Sequence, residues 1–167
     1  MKIIFLDLDG VLNSAWLYKH KDYSMCITDD HYPGDLIEKD KLAILHRIIE
    51  ETGAKVVFTT SWMSEYWTPE RLGAFLSVDG IDQTWCTGGG LDRGRSVLDW
   101  VDAHDVESYV VVDDGGANMY DNNSAALWLR MVHVHGRYGL LPSDADKAIH
   151  ILNNQPTDEI VTLNTYK

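Results

Sequence analysis

Asp7 and Asp9, one residue apart, stand at the end of the apolar run Lys2 to Leu6. Side chains alternate faces along a strand, so both carboxylates leave its end in the same direction. Adjacent carboxylates repel each other and are expensive to desolvate. A divalent cation, or a proton shared with a substrate, removes that cost. Gly10 follows, where the backbone can turn tightly and come close to a ligand. A second pair, Asp113 and Asp114, ends the run Ser108 to Val112. Acids at the ends of two strands form an oxygen-only donor set, which suits a hard cation, Mg²⁺ first. Each pair could instead cap its own turn, but the convergence of separate clusters on one edge favours the cation.

Three further groups belong to the same chemistry. Thr59, Thr60 and Ser61 follow an apolar run and offer hydroxyls and backbone N–H groups of the kind that bind phosphate. Arg93 and Arg95 open a helix, where cations oppose the dipole, so an anion in the crevice would give them a reason to be there. His133 and His135 lie on one face of a strand, but no third metal ligand is close in sequence, so a polar strand end is the simpler reading. Trp62 and Trp67 follow the hydroxyls and can wall a substrate site, with core packing as the default.

The elements that must position these groups alternate. Strands are expected at Lys2 to Leu6, Ala54 to Thr59, Ile81 to Thr87, Ser108 to Val112 and Arg130 to His135. Helices are expected over Leu36 to Thr52, ending at Gly53, from Pro69 to about Leu76 behind a Thr68 cap, over Arg93 to Ala103, and over Ser143 to Leu152 capped by Ser143. Residues 14–35 show no sustained period and read as a long loop or small insert. Residues 153–167 read as a polar tail with one β-prone stretch, Glu159 to Leu163. The strands are apolar on both faces and alternate with helices, so the sheet is expected to be mainly parallel and covered on both sides. Ligands of such sheets sit at the carboxyl ends of the strands, which brings the three polar clusters to one crevice.

The 167 residues, with no linker or repeat, suit one domain. A formal charge of −12 weighs against stable binding to nucleic acid or to an anionic membrane. Cys26 and Cys86 form no disulfide framework, as in a reducing cytoplasm. No stretch reads as a targeting signal or a membrane span.

Phe5-Leu6-Asp7-Leu8-Asp9-Gly10-Val11-Leu12-Asn13 resembles the first motif of the haloacid dehalogenase (HAD) superfamily of phosphohydrolases. Val56 to Thr59 resembles the second motif, Arg93 to Val97 occupies the place of the third, where Lys is usual, and Val110 to Asp114 resembles the fourth. Thr59 to Trp62, Arg93-Gly94 with Trp100 downstream, Asp113-Asp114 and Tyr138-Gly139-Leu140 narrow the resemblance. They are similar to the phosphatase domain also found inside multi-domain RNA-repair proteins. The resemblance implies a Rossmann-like three-layer sandwich with a minimal cap or none, residues 14–35 being the only insert after the first motif. It implies a Mg²⁺-dependent phosphomonoesterase acting on a small phosphate ester, a nucleotide or a nucleic-acid end. Asp7 would be the nucleophile and Asp9 the acid and base. Thr59 or Thr60 would hold the phosphoryl group, with Ser61 and Gly10 beside it. Arg93 or Arg95 would neutralise charge, and Asp7, the Asp9 carbonyl and Asp113 or Asp114 would bind the metal. The competing reading is a non-catalytic HAD-fold binding or scaffold domain, against which the intact acid pairs speak.

Overall fold

The computed structural model describes residues 1–84, 92–115, 120 and 125–154. Its elements are, in chain order, β1 (Lys2–Leu6), α1 (Ala15–His20), β2 (Cys26–Thr28), β3 (Leu36–Glu38), α2 (Lys39–Thr52), β4 (Lys55–Phe58) and α3 (Pro69–Leu76). There follow β5 (Gly80–Gln83), α4 (Arg93–Ala103), β6 (Ser108–Asp113), α5 (Ala125–Leu129), β7 (Met131–His133) and α6 (Pro142–Asn153). Five strands form one sheet in the order β5-β4-β1-β6-β7. Every pairing in it is parallel.

Both faces of this sheet are apolar, as the strand runs require. Ile4, Leu6, Val56, Phe58, Val110 and Val112 pack on Leu45 and Ile48 of α2, Leu72 and Leu76 of α3, and Ala148 and Leu152 of α6. Ile3, Phe5, Val57 and Val111 face the other way, onto Val97 and Trp100 of α4 and Leu127 of α5. The result is a three-layer, Rossmann-like α/β sandwich. The chain builds β4 and β5 on one side of β1, then crosses to lay β6 and β7 on the other. The reversal lies between β1 and β6, which is where open parallel sheets bind ligands.

Local signals in the sequence explain most element ends. The Thr68 hydroxyl accepts from Arg71 N at α3, and Gly53, with φ 69°, closes α2 in the left-handed conformation. Within residues 14–35, Ser14 caps α1 by accepting from Leu17 N, and β2 pairs antiparallel with β3. Three expectations are corrected. Leu36 to Glu38 is strand rather than the start of α2, because its side chains go to different places. Leu36 joins Leu17 and Cys26 in a small satellite cluster, while Ile37 enters the main core. Ser143 is not a cap, since α6 begins at Pro142 and the Asp144 carboxylate accepts from Leu141 N at 2.9 Å. A helix, α5, intervenes between β6 and β7; five residues are too few to show a helical period.

Trp85, Cys86 and Thr87 of the expected third strand, Gly88 to Gly90, Gly116 and residues 155–167 lie outside the described residues. Cys26 is a free thiol. Among the described residues, no helix is long and apolar enough to cross a membrane.

Candidate active site

Register alone brings three polar residues into a row. Leu6 lies opposite both Phe58 and Val112. One residue further on, Asp7, Thr59 and Asp113 therefore stand side by side at the carboxyl edge. The backbone ladder continues through them: Thr59 N donates to Leu6 O at 2.9 Å and Asp7 N to Val112 O at 3.1 Å.

Asp7 is almost fully buried and Asp113 completely so. The Arg93 guanidinium is buried with them. Its Nη1 lies 3.4 Å from Asp7 Oδ2 and donates to Asp113 Oδ2. Tyr120 OH donates to the same Asp113 oxygen, and Gly115 N donates to Asp113 Oδ1 at 2.6 Å. Both Asp113 oxygens are thus engaged, which fixes the carboxylate and, through it, Arg93. The Asp92 carboxylate accepts from Gly94 N at 2.8 Å, capping α4 so that its first residue, Arg93, points at the acids.

Asp114 is the more exposed of the second pair. Its carboxylate is lodged between two glycines: a Cβ on Gly10 would stand 2.1 Å from Oδ2, and one on Gly136 would stand 2.4 Å from it. Gly10 also adopts φ 78°, so it serves both the turn and the close approach. One oxygen each from Asp7, Asp113 and Asp114 lies within 4.8 Å of the others, a hard donor set that could hold a divalent metal ion.

The second acid of the first strand is held differently. Asp9 is exposed, and its Oδ1 accepts from Asn13 Nδ2 at 2.9 Å and from Trp62 Nε1 at 3.1 Å. Its side chain is not in the carboxylate trio. Asp7, Asp9, Tyr18, Ser61, Arg93 and Asp114 line one cleft of about 600 Å³.

The hydroxyls following β4 separate. Thr59 is fully buried, and its Oγ1 has no hydrogen-bond partner among the described residues. Thr60 is also buried and accepts from Trp62 N at 3.3 Å. Ser61 is exposed and faces the cleft. Arg95 is not brought to the site; it is exposed and pairs with Asp99 at 2.9 Å. His133 and His135 lie beside Asp114, and among the described residues neither belongs to a group of three potential metal ligands.

Several site residues had no role in the sequence reading. Asn13 lies inside the first motif, and its type alone gave no hint that it would hold Asp9. Tyr120 is in no motif, and Gly136 matters only because Asp114 needs its space. Trp62 does border the site, through its indole N–H. Trp67 is buried and donates to Asp35 Oδ2 at 2.7 Å, while Tyr66 OH donates to Asp29 Oδ1 at 2.7 Å. These two bonds tie the 14–35 insert to the segment after β4.

Burial, then the Asp113 charge, pushes the Asp7 carboxyl up to about 7 against the pull of Arg93. The folded protein therefore keeps a proton on Asp7 that the unfolded chain loses near pH 3.8, so stability falls as pH rises through that window. Asp7→Asn removes this dependence. In chelator, the stability of Asp7→Asn relative to the parent should rise by on the order of 2–4 kcal/mol between pH 4 and pH 8. Urea midpoints of both proteins across that range check it; a constant difference would contradict the placement of Asp7.

The geometry has a counterpart among known sequences. A family model described as "HAD domain in Swiss Army Knife RNA repair proteins" matches residues 3–145. No curated protein and no solved structure matches the chain.

Proposed function

Because the chain belongs to the family of HAD domains in Swiss Army Knife RNA repair proteins, we propose that it is a Mg²⁺-dependent phosphomonoesterase working through an aspartyl-phosphate on Asp7. Its substrates are a small phosphate ester, a nucleotide or a nucleic-acid end. The observation that carries this reading is the buried Asp7 carboxylate, set between Arg93 and two further acids on the floor of a cleft whose wall holds Asp9.

Asp7 attacks phosphorus, and the bond from phosphorus to the leaving oxygen breaks. Asp9 gives that oxygen a proton, then takes one from the water that cleaves the acyl phosphate. Asn13 and Trp62 occupy one Asp9 oxygen, so the other is the one that handles the proton. Arg93, rather than Arg95, fills the basic role, since only Arg93 reaches the acids. It offsets charge on the phosphoryl group. Ser61, the Gly10 backbone and Thr59 border that group. The donor set fits Mg²⁺: Asp7, Asp114 and the Asp9 carbonyl would hold it, with Asp113 alongside, and it would neutralise phosphoryl charge. The free Cys26 thiol supports a cytoplasmic setting.

The test is phosphate release from nucleotides, sugar phosphates and 3′- or 5′-phosphorylated oligonucleotides. Release is expected with Mg²⁺, should vanish in chelator and should return when Mg²⁺ is restored. No release from any class, or recovery with Zn²⁺ alone, would overturn the reading and favour a binding domain or a different metal.

A further inference from the structure

A second cleft, about 300 Å³, is lined by Asp114, His133, Val134, His135 and Gly136. It shares Asp114 and Gly136 with the cleft that holds Asp7. Gly136 brings no side chain to the boundary, and a Cβ there would strike the Asp114 carboxylate, so no side chain from this position divides the two spaces. The turn is fixed by its backbone: Ala15 N donates to Gly136 O at 3.0 Å, and Tyr138 N donates to His135 O at 2.8 Å.

Both imidazoles have their tautomers set by backbone partners. His133 Nε2 lies 3.2 Å from Asp114 O, a carbonyl that can only accept, so Nε2 carries the proton and Nδ1 keeps a lone pair. Arg137 N donates to His135 Nδ1 at 3.3 Å, so the lone pair there is on Nδ1 and Nε2–H is the donor. The neutral pair thus offers one acceptor and one donor. A hydroxyl group does both, and vicinal hydroxyls suit the pair better still. The Asp114 carboxylate beside the cleft and the −12 charge weigh against a second anion. Neither histidine joins a group of three ligands among the described residues, which weighs against a metal.

Resting on the phosphatase reading, we propose that this cleft takes the hydroxyl-bearing part of the leaving group. The substrate class is then a phosphomonoester of a polyol or sugar, ribose included, with His133 and His135 reading hydroxyls near the scissile bond. The residues set specificity and take no part in the chemistry.

The experiment compares 2,3-dihydroxypropyl phosphate with propyl phosphate, the same carbon chain with and without hydroxyls. It uses the wild-type protein and the His133→Phe/His135→Phe double variant, whose altered positions are both exposed. The ratio of kcat/KM for the diol to that for the alkyl ester should be about ten in wild type, the effect of one or two modest hydrogen bonds, and should fall to about one in the variant. Binding of both esters to Asp7→Asn, with Mg²⁺ and with or without the two Phe substitutions, gives a readout that needs no turnover. Turnover of both esters at equal kcat/KM overturns the subsite and leaves the phosphatase. A binding preference for the diol that the Phe substitutions abolish, with no turnover in wild type, upholds the subsite and overturns the phosphatase. Equal binding without turnover overturns both.

Discussion

Asp7→Asn is expected to lower turnover at least about a thousand-fold while leaving the fold intact, as loss of a nucleophile does. The amide matches the carboxylate in shape but has no oxygen able to attack phosphorus. Arg93 keeps its contact with Asp113, so the guanidinium is not left alone in the interior. Burial already opposes charge on Asp7, so its neutralisation removes a strain on the metal-free fold rather than a support. Loss of activity with retained or improved stability is therefore the signature expected of this site. Steady-state rates with a saturating phosphate ester, set beside thermal melts, check it. Retention of more than a few per cent of wild-type activity, about what the loss of a minor contributor leaves, would rule out Asp7 as nucleophile.

Asp9→Asn separates the two acids. Asp9 is outside the carboxylate trio and is exposed, with one oxygen held by Asn13 and Trp62. On the proposed mechanism it moves protons and does not bond phosphorus. The variant should slow both half-reactions by about 10²–10⁴-fold, the usual contribution of a positioned acid or base. The first half-reaction should suffer least with an aryl phosphate, whose leaving oxygen hardly needs a proton, and most with an alkyl phosphate. Single-turnover rates with both esters read this directly. Equal losses for good and poor leaving groups would remove Asp9 from the acid role.

The parallel sheet was legible because β1, β4 and β6 are short apolar runs ending in acids or hydroxyls, and because helices separate them. Asp7 and Asp113 could be placed together because both follow directly on strands that turn out to be neighbours. What was not legible depends on contacts across the fold. Leu36 and Ile37 read as the start of a helix, since nothing local says that Leu36 will face a satellite cluster and Ile37 the main core. The choice between Arg93 and Arg95 could not be made from an i, i+2 spacing alone. It follows from the pitch of α4, which turns Arg93 inward to the acids and Arg95 outward to Asp99. Trp62 had core packing as its default, because its bond to Asp9 spans the gap between the first and second motifs. Gly136 carries no signal at all, because its role is to leave room for a residue more than twenty positions earlier.

The central claim is that a phosphoryl group is carried on Asp7, and the Asp9→Asn variant offers the clearest view of it. Without Asp9 the acyl phosphate lacks a base for its hydrolysis, so with an aryl phosphate it should accumulate. Acid quenching of that variant during the first turnover, followed by peptide mapping, should find one phosphoryl group on the peptide containing Asp7. No covalent phosphoryl group in a variant that still releases the aryl alcohol, or one attached to another residue such as His133 or His135, would contradict the account.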